Sequence, residues 1–154
     1  MKKDIPNSMI YHGGNITDRD LMQIIDCLLP PKFSGDIIID GDIIPSGVST
    51  GQALVIKNQL SIVANKIFLL GDLYTEGSIY AKTISAKDIK VVEDCCSSYI
   101  FCSYAEIFGD LATKVLCTQY GYKVYGEEEA PLVFIDEFYA WKMQEYFKSA
   151  PVFF

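Results

Sequence analysis

Apolar residues recur every five or six positions along residues 62–111, which read IVANKIFLLGDLYTEGSIYAKTISAKDIKVVEDCCSSYIFCSYAEIFGDL. This spacing fits neither the two-residue alternation of a long strand nor the 3.6-residue period of a helix. Every third apolar position repeats after 16 or 17 residues, and the Gly-Asp pairs at Gly71 and Gly109 punctuate the same stretch. A fixed period of this kind indicates an internal repeat whose units stack on one another.

The repeat predicts short strands whose inward residues form columns, with one residue from each coil. The predicted columns are Ile62, Ile79, Cys95 and Leu111; Ile67, Ile84, Ile100 and Val115; Leu69, Ala86, Cys102 and Cys117; and Leu73, Ile89 and Ala105. Each coil would contribute three strands, and each strand would lie beside its equivalent in the next coil. This arrangement is a parallel β-solenoid.

We therefore predict a mostly β fold, with a short, single-stranded, right-handed parallel β-solenoid over residues 35–125. About five coils at a strand spacing of ~4.8 Å would form a rod of roughly 24 Å. The alternative is an antiparallel β-sandwich with a turn every 8–12 residues. The spacing in this sequence is shorter and steadier than hairpins usually produce, so the solenoid is favoured.

Helical signals flank the repeat on both sides. Thr17 is an expected N-cap because Asp20 follows three residues later, and apolar residues then recur at helical spacing as far as Pro30. Pro131 occupies a position that the first turn of a helix tolerates, which predicts a helix over residues 131–147. We expect one domain of 154 residues, in which residues 1–34 form an N-terminal helical cap and residues 126–154 a C-terminal helical cap and tail.

The charge composition restricts the classes of function. The chain has a net charge of −7, one histidine (His12) and one arginine (Arg19). Nucleic-acid binding needs clustered Lys and Arg, so we expect no nucleic-acid partner. A single histidine argues against multi-histidine metal sites and against Ser/His or Cys/His catalysis. Phosphate-cradling motifs, a nucleophile elbow and the H-E-x-x-H pattern are also absent from the sequence. Together with the scarcity of histidine and arginine, this leads us to expect no enzyme activity, no metal and no cofactor.

The cysteines and the apolar runs bear on the compartment. Five cysteines are an odd number, which suggests reduced thiols, and no secretory signal pattern is visible in the first residues. No run approaches 18 apolar residues, so we expect no membrane span. The sequence predicts a cytoplasmic protein whose thiols are mostly buried and inert.

Asp36, Asp40 and Asp42 form a local acidic cluster near the start of the repeat. Asp40 and Asp42 alternate with other residues, so both side chains can point outward together. Paired carboxylates could serve acid–base catalysis on a carbohydrate or hold calcium. Turns at the corners of the coils explain the same residues structurally, and this is the favoured interpretation.

Acidity is concentrated at the C-terminal end, because residues 126–154 hold six acidic and two basic residues, a net charge of −4. Tyrosines precede this region, and aromatic residues beside a charged rim are typical of protein-binding surfaces. The predicted partner-binding residues are Glu127, Glu128, Glu129, Asp136, Glu137, Tyr120, Tyr122 and Tyr125. The alternative is that the acids stabilise the start of a helix and the tyrosines line a corner of the solenoid.

Two segments of the repeat carry a family resemblance, namely Ile39-Asp40-Gly41-Asp42-Ile43 and the sequence GDLYTEGSI at residues 71–79. They resemble the bactofilin-type β-helices of bacteria, and the similarity covers about half of the chain. The resemblance implies a solenoid that self-associates end to end, and it implies no catalytic residues. The flanks of this chain differ from the disordered tails usual in that family, because they are apolar.

These observations predict a non-enzymatic protein-interaction module whose acidic, aromatic C-terminal region binds a basic protein partner. An immunity or inhibitor protein fits the size, the acidity and the lack of a catalytic set. The alternative is a bactofilin-like scaffold that self-assembles through the ends of the solenoid. A third hypothesis is a small carbohydrate-active enzyme that uses Asp36, Asp40 and Asp42.

Overall fold

The computed structural model describes residues 8–28, 35–46 and 53–135. Fifteen strands, a short α-helix and a π-helical segment follow one another along this part of the chain. The helical segments are α1, Asp18–Gln23, and the π-helical segment Ile24–Leu28. The strands are β1 Ser8–Tyr11, β2 Ile16–Thr17, β3 Asp36–Ile39, β4 Ile43–Ile44, β5 Leu54–Ile56, β6 Ser61–Phe68, β7 Leu73–Thr75, β8 Ile79–Ser85, β9 Asp88–Val91, β10 Cys95–Cys96, β11 Tyr99–Ile107, β12 Leu111–Ala112, β13 Val115–Val124, β14 Glu128–Glu129 and β15 Leu132–Ile135.

The strands wind into three faces, and each strand pairs in parallel with its equivalent in the neighbouring coil. The first face runs through β1, β3, β6, β8, β10, β12 and β14. The second face runs through β2, β4, the later part of β6, the later part of β8, β11, β13 and β15. The third face runs through β5, β7, β9 and the later parts of β11 and β13. The predicted solenoid of about five coils is confirmed, and its handedness stays a prediction.

The predicted columns of the first and third faces are the observed ones. Ile79 pairs with both Ile62 and Cys95, and Cys95 pairs in turn with Leu111. On the third face Ile89 lies between Leu73 and Ala105. The spacing in the sequence was sufficient here because each column advances by one coil of 16 or 17 residues.

The interior of the solenoid is filled by stacked isoleucine and leucine side chains, which are almost completely buried. Ile37, Ile43, Ile67, Ile79 and Ile84 are all 0% exposed. Full burial of such a side chain contributes about 1.5–3 kcal/mol. No single coil can provide this burial, because each isoleucine is covered by the residues of the coils above and below it.

Two predicted columns contain a one-residue error in the last coil. Ile100 pairs with Leu116 and Cys102 pairs with Thr118, so Val115 and Cys117 do not point inward as predicted. Cys117 instead pairs with Phe101, and the two form a separate buried cluster on the outer side of the second face. The error arose because residues 115–118 all suit a strand, so composition did not distinguish the two registers.

A short helix begins where the sequence predicts it, but the helical cap expected over residues 1–34 is only partly present, because two strands lie within the same range. Thr17 is the N-cap, and its hydroxyl accepts a hydrogen bond from the Asp20 amide at 3.1 Å. The helix α1 packs against β5, and Leu21 enters the core of the solenoid. The strands β1 and β2 precede it and extend the first and second faces by one coil. The helix α1 therefore occupies the third face of an additional N-terminal coil. The sequence analysis places the same residues in a helical cap.

The predicted C-terminal helix is wrong where it can be assessed. Leu132–Ile135 form the strand β15, which pairs residue by residue with the first part of β13. Pro131 therefore precedes a strand rather than opening a helix. The β-branched and aromatic side chains of residues 132–135 suit a strand, and the exposed edge of β13 supplies the partner. Residues 136–154 lie outside the described part of the chain, and no helix of the described part is long and apolar enough to cross a membrane.

Replacing Ile84 by aspartate tests the stacking register. The change buries a carboxylate between Ile67 and Ile100, where nothing can hydrate it, and should cost several kcal/mol, enough to unfold a typical domain. Tyr80→Asp in the same strand is the matched control, because Tyr80 points outward and is 42% exposed. Urea denaturation should show loss of folding for Ile84→Asp alone, and equal stability of the two variants would contradict the register.

Thiol accessibility tests which cysteine side chains the solenoid buries. Cys27 and Cys96 are exposed, whereas Cys95, Cys102 and Cys117 are buried. Burial raises the pKa of Cys95 to about 12 and that of Cys117 to about 11, and it also raises the pKa of Cys102. At pH 8 a disulfide reagent should therefore react quickly with two thiols, and with the other three only after denaturation. Rapid reaction of a third thiol in the folded protein would contradict this assignment.

Candidate protein-binding surface

Six of the eight predicted partner-binding residues lie together at the C-terminal end of the solenoid. We call residues 120–135 the terminal coil; it contains the last part of β13, then β14 and β15. Its tyrosines are Tyr120, Tyr122 and Tyr125, and its glutamates are Glu127, Glu128 and Glu129. The other two predicted residues, Asp136 and Glu137, lie outside the described residues.

Two of the six residues bind each other at the C-terminal end of the described core. Tyr122 continues the inward column above Ala105, and Glu128 continues the inward column above Leu111. The Tyr122 hydroxyl donates a short hydrogen bond to Glu128 Oε2, and this bond raises the pKa of Tyr122. The pair gives the last apolar layer a polar cover. Tyr122 and Glu128 therefore have a structural role at this end of the solenoid.

A ladder of hydrogen bonds fixes the position of Glu127. Its amide donates to Asp110 Oδ1 at 2.8 Å, and the Asp110 amide donates to Asp94 Oδ1 at 2.8 Å. The Asp94 amide donates to Ser78 Oγ at 3.1 Å, and the Ser78 amide donates to Ser61 Oγ at 2.9 Å. Each coil thus holds the corner of the next one. Glu127 is the last member, and its exposed carboxylate faces no further coil in the described part of the chain.

Glycines allow the coils to approach at this corner. A Cβ atom on Gly109 would lie 2.5 Å from the carbonyl oxygen of Glu93, and one on Gly126 would lie 2.5 Å from the carbonyl oxygen of Gly109. These contacts are too close for any side chain. The Gly109-Asp110 pair therefore stabilises a corner of the coil. The glycine permits close packing of the two coils, and the aspartate accepts a hydrogen bond from the next coil.

An exposed aromatic stack lies beside the ladder. The rings of Phe108 and Tyr125 are 4.8 Å apart and inclined by 4°, and they are 39% and 52% exposed. Lys90 Nζ lies 5.4 Å from the centre of the Phe108 ring, and Lys123 Nζ lies 4.9 Å from the centre of the Tyr125 ring. The Tyr125 hydroxyl donates to Glu106 Oε2 at 3.2 Å. The surface therefore combines aromatic rings with charges of both signs, and Phe108, Lys90, Lys123 and Glu106 were not predicted as part of it.

Tyr120 is displaced outward by an irregularity in β13. One residue separates Cys102 from Tyr104 in β11, but two separate Thr118 from Gly121 in the paired segment of β13. Gly121 adopts a positive φ of 120°, and its amide donates to Thr118 Oγ1 at 3.1 Å. The additional residue leaves Tyr120 68% exposed, more than any other large apolar side chain in the described ranges. It is the most exposed aromatic side chain of the terminal coil among the described residues.

Glu129 lies at another corner of the terminal coil. It lines an open groove between the first and second faces, together with Cys96, Thr113 and Pro131. The Ser97 and Thr113 hydroxyls are 3.2 Å apart on the floor of this corner. Glu129 is exposed, and among the described residues its carboxylate has no bond comparable to that of Glu128.

The second acidic cluster has a structural explanation at one of its members. Asp42 Oδ1 accepts a hydrogen bond from the Asn65 side chain at 2.9 Å, and the Asp42 amide donates to Asn15 Oδ1 at 2.9 Å. Asp36 and Asp40 are exposed. Within residues 8–28, 35–46 and 53–135, no group of three or more His, Cys, Asp or Glu side chains is placed to hold a metal ion. Catalysis or calcium binding by Asp36, Asp40 and Asp42 stays an untested alternative to the favoured structural role.

No known protein-family model, curated protein or solved structure matches this chain. The solenoid expected from the bactofilin resemblance is present, and membership of that family stays a prediction. The functional argument consequently depends on the geometry of the chain itself.

The ladder can be tested at Asp110. Asp110→Ala removes the acceptor of the Glu127 amide and should lower the free energy of unfolding by about 1 kcal/mol, as expected for one hydrogen bond. Asp110→Asn keeps an oxygen acceptor and should restore most of this stability. Asp40→Ala is a control for loss of an exposed aspartate. The midpoint of urea denaturation measures all three, and an Asn variant as unstable as the Ala variant would argue against the ladder.

Proposed function

We propose that the protein is a non-enzymatic binding module that holds a basic protein partner at its terminal coil. The proposal is based on the exposed aromatic and acidic side chains of this coil. Tyr120 and Tyr125 are 68% and 52% exposed, and Glu127 and Glu129 of the same coil are also exposed. Aromatic anchors beside charged residues are the usual composition of a protein-binding surface.

The rigidity of the surface supports this role. The Tyr125 side chain is held by its ring contact with Phe108 and by its hydrogen bond to Glu106, and the backbone at Glu127 is held by the ladder through Asp110. Side chains that are already ordered lose little conformational entropy when a partner binds. The terminal coil is thus pre-organised for association.

The charges support a basic partner. Glu127, Glu128 and Glu129 are consecutive and exposed, and their carboxylates would attract a positively charged surface over a distance of about 8–10 Å at ordinary ionic strength. Lys123 is close to Tyr125 and Glu106, so part of its charge is balanced within the protein. Neutralisation of a basic protein in the cytoplasm, as by an immunity or inhibitor protein, is the specific form of the proposal. Reduced cysteines and an acidic net charge are compatible with it.

Charge reversal tests the proposal. Glu127→Lys combined with Glu129→Lys should leave thermal stability unchanged, because exposed charges contribute little to folding. Sedimentation velocity of mixtures with each basic protein encoded beside its gene identifies the partner, and stopped-flow kinetics then measures association. The double variant should associate about tenfold more slowly at low salt, with a smaller difference at high salt.

Asp36→Lys combined with Asp40→Lys is the matched control, because it changes the net charge equally near the other end of the solenoid. It should associate at a rate close to that of the unmodified protein. Equal slowing by both double variants would show that net charge, rather than the terminal coil, controls association. Normal association of the Glu127 and Glu129 variant would exclude the acidic surface.

A self-assembling scaffold is the second candidate, because strand edges are present at both ends of the described solenoid. β1 and β14 each pair on one side only within the described ranges. A head-to-tail joint would align first and second faces, but α1 occupies the third face of the N-terminal coil and supplies no strand there. Such a joint would pair strands on only two of the three faces of the solenoid. For this reason the binding module is favoured over the scaffold. Filaments seen by electron microscopy across a range of protein concentrations would reverse this preference.

A further inference from the structure

The terminal coil presents a strand edge as well as side chains. Residues 121–124 of β13 pair with β11 on one side, and β14 pairs with β12 on one side. Among the residues that the structure describes, no strand pairs with the other side of either segment. An edge strand exposes alternate amide and carbonyl groups that an extended chain can bind.

The aromatic stack has the same spacing as the strands. Phe108 and Tyr125 occupy equivalent positions in successive coils, and their rings are 4.8 Å apart. This distance matches the ~4.8 Å spacing of paired strands. A strand added to the edge would therefore place its own side chain one stacking distance above Tyr125. An aromatic residue at that position would continue the stack.

The neighbouring columns specify the other positions of such a strand. The inward columns that end at Tyr122 and Val124 are apolar in the coils below, where they contain Ala105 and Ile107. The outward column alternates charge from Lys90 to Glu106 to Lys123, so an acidic residue is favoured above Lys123. Basic residues are favoured above the exposed Glu127 and Glu129.

We infer that the partner binds by adding an extended segment as a parallel strand along residues 122–129, with the order apolar, acidic, apolar, aromatic, glycine and then alternating basic residues. The fifth position of the added strand is glycine because it would lie at the corner, where Gly126 is already packed against the carbonyl oxygen of Gly109. The inference rests on the proposed function and states how the terminal coil recognises its partner. Hydrogen bonds from the backbone supply affinity, and the side-chain order supplies specificity.

A second copy of this chain is a poorer occupant of the edge. Two terminal coils that met would bring two sets of Glu127, Glu128 and Glu129 together, and like charges oppose that contact. The N-terminal end offers α1 rather than a strand on the third face. Charge complementarity therefore selects a different, basic chain.

A synthetic octapeptide tests the inference on the full-length protein. The probe is Val-Glu-Val-Tyr-Gly-Lys-Val-Lys with blocked ends, and binding is measured by isothermal titration calorimetry. One control has the same sequence with every internal backbone nitrogen methylated, which keeps the charges and removes the hydrogen-bond donors. The other has the residues in reverse order, which keeps the composition and removes the match to the columns. Each control should bind at least tenfold more weakly than the probe.

Hydrogen exchange locates the binding site. The amides of residues 121–124 that point away from β11, toward the unpaired edge, should exchange rapidly in the free protein. With saturating octapeptide they should exchange at least tenfold more slowly. Protection of all these amides in the free protein would overturn the inference, because the edge would already be filled by the chain itself or by a second copy. Protection confined to other residues would overturn it as well.

The outcomes separate the inference from the proposed function. Equal binding of the probe and the methylated peptide, or of the probe and the reversed peptide, would overturn strand addition but leave a charge-based surface intact. Absence of binding by the probe would also overturn strand addition. Probe binding that is unaffected by Glu127→Lys with Glu129→Lys would count against the acidic surface itself.

Discussion

The structure depends on the stacking of inward side chains on their equivalents in the neighbouring coil. Ile79, Ile84 and Ile89 belong to three columns and lie in one coil, and each is 2% exposed or less only because adjacent coils cover it. Parallel pairing keeps equivalent residues in register, so burial and backbone hydrogen bonding favour the same alignment. The corner ladder from Ser61 to Glu127 repeats that alignment with side-chain oxygens. A shift of one residue between neighbouring coils would disrupt both the burial of the inward side chains and the hydrogen bonds of the ladder.

Stacking also creates the functional question, because a stack must end. Within the described residues, two of the columns end at Tyr122 and Glu128, which bind each other. In the same part of the chain the ladder ends at the exposed Glu127, and the aromatic stack ends at Tyr125. The last described member of each of these repeating features thus lies in the terminal coil. The proposed binding surface is a direct result of the repeat.

Much of this could be predicted from the sequence, because coils of nearly constant length place equivalent residues at a fixed spacing. The column of Ile79, Cys95 and Leu111 follows from that spacing alone. The position of Leu116 could not be predicted, since Val115 and Cys117 are equally suited to a strand. The strand β15 was missed because Pro131 resembles a helix start locally, whereas pairing with β13 is a long-range interaction. At the site, the contact of Lys123 with Tyr125 and the bond from Tyr122 to Glu128 required the three-dimensional path of the last coil, including the irregularity that displaces Tyr120.

A double-mutant cycle tests the stacking most directly. Ile84→Val and Ile100→Val each remove one methyl group from adjacent positions of one column, and Ile84→Val with Leu116→Ala affects positions two coils apart. Urea denaturation gives the change in the free energy of unfolding for each single and double variant. Stacking in register predicts a coupling energy of about 0.5 kcal/mol or more for the adjacent pair, and additive effects for the distant pair. Additive effects in both cycles, or stronger coupling in the distant pair, would contradict the register on which the terminal coil and its binding surface depend.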